Sequence, residues 1–95
     1  MSFLDRFRRK KQGEAARIAR LLRTGRIVEG TIIDVTSDNT GHIAQIFYSY
    51  NIAGVEYESS QVLNAEQQSR RDAYQPGAHI IIRYYPHQPG NSVVV

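Results

Sequence analysis

Ninety-five residues make one domain, with 12 Lys and Arg against 9 Asp and Glu and no cysteine. Without cysteine there is no disulfide framework and no thiolate metal site, which fits a reducing compartment. No apolar run approaches the ~18 residues that span a bilayer, and the opening stretch lacks the continuous apolar centre of a secretory signal, so the expectation is a cytoplasmic protein.

The first 24 residues read as a basic helical arm. From Met1 to Glu29 the cations Arg6, Arg8, Arg9, Lys10, Lys11, Arg17, Arg20, Arg23 and Arg26 face only Asp5, Glu14 and Glu29. From Gly30 onward acids outnumber bases. Ser2, with Asp5 three residues on, has the chemistry of a helix cap. Leu4, Phe7, Ile18, Leu21 and Leu22 fall near one helical face. Lys11 and Glu14 interrupt that stripe and Gln12-Gly13 weakens it, so two short helical pieces or one frayed helix are expected. Gly25 suits a left-handed cap at the end.

Residues 25–95 then read as a small β-barrel-like domain. "RIVEGTIIDVTS" is β-branched and apolar, with Gly30 as a bulge or close-approach point. "DNTG" is a turn. In "HIAQIFYSYNI", Ala44, Ile46, Tyr48, Tyr50 and Ile52 point one way and Gln45, Ser49 and Asn51 the other, with Phe47 breaking the alternation. Ala53-Gly54 turns the chain into "VEYESSQV", completing a hairpin. "NAEQQSRRDAYQPG" leaves the strand pattern. Asn64 and Gln67 have capping chemistry for a short helix, which Pro76-Gly77 stops. "HIIIRYY" puts Ile80, Ile82 and Tyr84 on one face. "PHQPGN" reads as a turn, because two prolines forbid a continuous ladder, with Tyr84 inward and Tyr85 and His87 outward. "SVVV" is a last strand. The expected fold is mainly β: a small antiparallel, barrel-like sheet of about five strands, with one short inserted helix and a basic N-terminal helix.

The closing stretch resembles a bacterial family, Domain of Unknown Function 3592. Gly77, Ile80, Ile82, Tyr84, Pro86 and Pro89 occupy the places of its glycine, V-x-V-x-Y-x-P and second proline. Gly25 and Gly30 resemble its opening strand, and Tyr48, Tyr50, Gly54 and Tyr57 its hairpin. Tyr85 departs from the acid that relatives often carry, and the membrane helices of many relatives have no counterpart here. The resemblance implies a small β-rich domain and brings no activity.

No catalytic constellation emerges. His42, His79 and His87 lack ligand spacing, so no metal or cofactor is expected. Glu56 and Glu58 share a strand face, as carboxylate pairs do, but also as the solvent side of a half-buried hairpin does. The serines and glycines match no nucleophile or phosphate motif. Tyr48, Tyr50 and Tyr57 suit core packing better than base stacking, because the sheet-forming part is acidic.

The expectation is therefore a non-catalytic interaction module, peripheral to a membrane, with no small-molecule substrate. Arg6, Arg8, Arg9, Lys10 and Lys11 are the candidate contacts to an anionic surface. The alternative is a nucleic-acid-binding module using residues 6–26. Val93, Val94 and Val95 are a candidate edge for a protein partner or a second copy, unless that strand closes the barrel.

Overall fold

A computed structural model describes the backbone from Phe3 to Val95 and the side chains from Gly13 onward. The expected Ser2 cap and the side chains of Arg6, Arg8, Arg9, Lys10 and Lys11 lie outside the described residues.

Helix α1 (Phe3–Thr24) runs unbroken through Gln12-Gly13. One interior glycine costs only about 1 kcal/mol, and Ala15, Ala16, Ala19, Leu21 and Leu22 follow it with strong helix propensity. Gly25 is not the left-handed cap expected, since the glycines with positive φ are Gly41, Gly54 and Gly77. Its N–H bonds the Leu21 carbonyl at 2.8 Å. A Cβ at Gly25 would sit 2.5 Å from that carbonyl and 3.2 Å from Arg83 Cβ. The glycine therefore serves close approach of the helix end to the sheet.

The strands are β1 (Arg26–Ser37), β2 (Ile43–Ile52), β3 (Val55–Gln61), β4 (His79–Tyr85) and β5 (Gln88–Val94), arranged β3-β2-β1-β4-β5. Every neighbouring pair is antiparallel. The sheet curls until β3 approaches β5, giving a nearly closed barrel-like sheet. Two one-residue bulges help to bend it. Ile33 is extra between the Ile32–Tyr48 and Asp34–Phe47 pairs, and Ala44 between Thr36–Gln45 and Ser37–Ile43. The second bulge corrects the expected alternation. Ile43 takes the interior place and Ala44 is exposed.

Ile32, Ile46, Tyr48, Ile82 and Val94 fill the barrel, all essentially inaccessible. Each such side chain contributes roughly 1.5–3 kcal/mol by burial. Gly30 lets β1 pass over them, since a Cβ there would overlap Ile82 Cδ1 and come within 2.6 Å of the Ser49 carbonyl. The β2–β3 turn has two residues, Ala53 (φ 53°) and Gly54 (φ 85°), the combination of a type I′ hairpin.

Helix α2 is shorter than the sequence suggested, Ala65–Gln68, and is capped as expected. The Gln67 N–H donates to Asn64 Oδ1 at 2.8 Å, and the Asn64 N–H to Gln67 Oε1 at 3.1 Å. A 3-10 turn, Arg71–Tyr74, then drops Tyr74 into the core.

The β4–β5 connection is tighter than expected. Only Pro86 and His87 turn, and Pro89 lies inside β5. The register jumps from Tyr85–Gln88 to Tyr84–Ser92. Pro89 thus falls in an unpaired bulge, where its missing N–H breaks no ladder bond. Tyr84 is half-buried, and Tyr85 and His87 are exposed.

Candidate functional site

A cleft lies between the C-terminal half of α1 and the start of β5, joining helix residues of the expected basic arm to a β5 wall to which sequence patterning assigned no role. It encloses about 400 Å³. Gly13 and Ala16 make room along the helix, Arg17 and Arg20 supply charge, and Gln88 and Asn91 form the opposite wall with Tyr85 at one end.

Arg17 fastens the helix to the barrel. Its Nη1 donates to Asn91 Oδ1 at 2.7 Å and to the Ser92 carbonyl at 3.1 Å. Its Nε and Nη2 hold the Glu14 carboxylate at 3.0 and 2.7 Å. The Arg17 hydrogen bonds keep the Glu14 carboxyl below the usual range, and Glu14 in turn raises Arg17. Glu14 is therefore a fixed anion that neutralises Arg17. The Arg20 guanidinium makes no hydrogen bond or ion pair among the described residues. Leu21 and Val93 are both buried outside the barrel cluster, where α1 packs on β4 and β5. Ile18 and Leu22 lie along another face of the helix, beside a smaller groove shared with Val62 and Val93–Val95.

The arrangement suits recognition of anionic or polar groups by fixed donors. Arg20 is the available charge, and amide side chains flank it.

The other expected positions do not join this cleft. Glu56 and Glu58 are exposed on the outer face of β3. His79 Nδ1 lies 2.8 Å from Glu29 Oε1, and His42 Nδ1 2.8 Å from Thr40 Oγ1, on different parts of the surface. Tyr48, Tyr50 and Tyr57 stack with ring centroids 5.9 and 5.5 Å apart. The first two are buried, so this row packs the interior and offers no platform to a base.

The candidate edge is occupied. Val93 and Val94 are each 2% exposed, and Val95 is 43% exposed. The Val94 N–H donates to Gln61 Oε1 at 2.8 Å, and its carbonyl accepts from Gln61 Nε2 at 3.2 Å and Gln67 Nε2 at 3.0 Å. Two glutamine amides thus stand in for a neighbouring strand, which sequence patterning did not reveal. The one available signal was Gln67 itself, already committed to a cap and therefore held in place.

A family model described as domain of unknown function (DUF3592) matches residues 23–95, from the last turn of α1 through all five strands. The chain belongs to this family. No curated protein and no solved structure matches it. The DUF3592 match covers Arg23 and Thr24 of α1, so Arg17 and Arg20 lie on the part of the helix that precedes it.

Proposed function

We propose that this DUF3592 protein is a non-catalytic interaction module that seats its N-terminal helix on an anionic membrane surface, at the cytoplasmic face. The observation that carries this reading is an exposed leucine on a cationic helix. Leu22 stays 43% exposed although the barrel is within reach. In the sequence, Phe7 and Leu4 continue the spacing of Ile18 and Leu22 beyond the interruption at Lys11 and Glu14, and Arg6, Arg8, Arg9, Lys10, Arg20 and Arg23 add charge along the same helix. Helices of this composition lie in the headgroup layer, with each nearby cation contributing about 1 kcal/mol. Among the described residues no helix is long and apolar enough to cross a membrane.

Co-sedimentation with phosphatidylglycerol-containing vesicles tests the reading. Binding at low salt should weaken at moderate salt. It should vanish when Arg6, Arg8, Arg9, Lys10 and Lys11 are replaced by Gln, and pure phosphatidylcholine should not bind. Retention on single-stranded DNA without vesicle binding would move the arm to nucleic acid.

A further inference from the structure

Antiparallel neighbours alternate in direction, so in the order β3-β2-β1-β4-β5 the two outer strands run the same way. An odd number of strands joined only by antiparallel pairs leaves a parallel gap where the sheet meets itself. The side-chain contacts follow that rule. Gln61 of β3 meets Val94 of β5, and Gly90 of β5 lies against Tyr57 of β3, at an offset of 33 residues in both places.

No backbone ladder crosses this gap. It is spanned by Gln61 and Gln67 on Val94, and by the Tyr50 hydroxyl donating to the Pro89 carbonyl at 2.7 Å. On β3 the two-residue turn makes Ile52 and Val55 a mutually bonded pair. Val55, Tyr57, Ser59 and Gln61 therefore direct their backbone groups to β2. Those of Glu56, Glu58 and Ser60 point into the gap, without a protein partner among the described residues.

We propose that this gap accepts an extended segment of a partner protein. The segment runs antiparallel to both β3 and β5, parts them from their present approach within 8 Å to the roughly 9.6 Å that an intervening strand requires, takes over the Val94 backbone from the glutamine amides, and completes a six-stranded, all-antiparallel barrel. Charge decides the kind of segment. Its outward side chains lie beside the exposed Glu56 and Glu58, so they are Lys or Arg at alternate positions. Its inward side chains are small or β-branched, because they enter beside Ser59 and Tyr57. A second copy of β3 is a poor occupant, since antiparallel self-pairing about Glu58 sets carboxylate against carboxylate.

Two labelled heptapeptides test this, one alternating Lys with Val and one alternating Glu with Val. The Lys peptide should bind about tenfold more tightly at low salt and slow amide exchange at Glu56, Glu58 and Ser60. Glu58→Pro deletes an N–H that β2 does not use, so melting should stay near that of the parent while binding is lost. Gln61→Ala should lower the melting temperature yet raise peptide affinity several-fold, because it removes the competing clasp. Absence of Lys-peptide binding, equal binding of both peptides, or binding indifferent to Glu58→Pro would each overturn the proposal. If Gln61→Ala does not fold, the parent and Glu58→Pro decide alone.

Discussion

The two end strands of this sheet are guarded in opposite ways. From Ser92 to Val94 both sides of β5 are covered, by the barrel interior at Val94 and near Leu21 of α1 at Val93. Its outward backbone groups at Ser92 and Val94 are held by Arg17, Gln61 and Gln67. On β3 the outer face is bare, and Glu56, Glu58 and a half-exposed Val55 meet solvent. Cover makes β5 part of the stability of the domain. Charge deters self-association on β3 while leaving its ladder groups open.

Substitutions that treat the strands alike should expose the contrast. Val94→Lys places an unpaired charge where 2% of the residue is accessible. A loss of about 4 kcal/mol or more is expected, enough to unfold much of a small domain. Urea denaturation by circular dichroism measures it, and a folded monomer of near-parental midpoint would refute the covered-strand account. Gln61→Ala comes next, at about 1–3 kcal/mol, because the Val94 N–H loses its partner inside the seam. An unchanged midpoint would mean water replaces the amide at no cost.

A smaller effect belongs to the helix fastening. The Glu14 carboxyl is lowered in the folded protein by Arg17. Its contribution is therefore present above the ordinary carboxyl range and is lost as pH falls through the lowered folded value. Glu14 is 57% exposed, so the change should stay below about 1 kcal/mol. Amide protection over Ala16–Leu22, taken relative to the intrinsic exchange rate at each pH, should fall on acidification, and Glu14→Gln should remove that dependence. Smallest of all is Val55→Lys, expected within about 0.5 kcal/mol in the same urea assay. A large loss there would show that β3 is covered after all.

Much of the fold was legible because it rests on alternation. Ile80, Ile82 and the Tyr48–Tyr50 row announce their faces by period, and Asn64 with Gln67 announces a cap. What escaped depends on contacts between distant residues. Nothing local to Ala44 says that β2 gains a residue there, because the bulge is defined by its partner β1. Pro89 read as a turn residue, since the register jump that tolerates it is a property of the β4–β5 pair. Tyr74, 1% exposed, sits in a polar stretch whose own pattern gives it no face. The α1–β5 cleft combines Arg17 and Arg20 with Asn91, more than seventy positions away, so its chemistry exists only once α1 has docked.

The tyrosine row has an optical consequence. The chain contains six tyrosines, three phenylalanines and no tryptophan, so above the phenylalanine bands its near-ultraviolet signal comes from phenol rings. Tyr48, Tyr50 and Tyr57 span β2 and β3 in one stack, and Tyr57 stands at the gap facing Gly90. Burial raises Tyr50 and Tyr74 above the ordinary phenol value, so in an alkaline absorbance titration these two report the interior. Near-ultraviolet dichroism of the stack follows the gap between β3 and β5 without any added label.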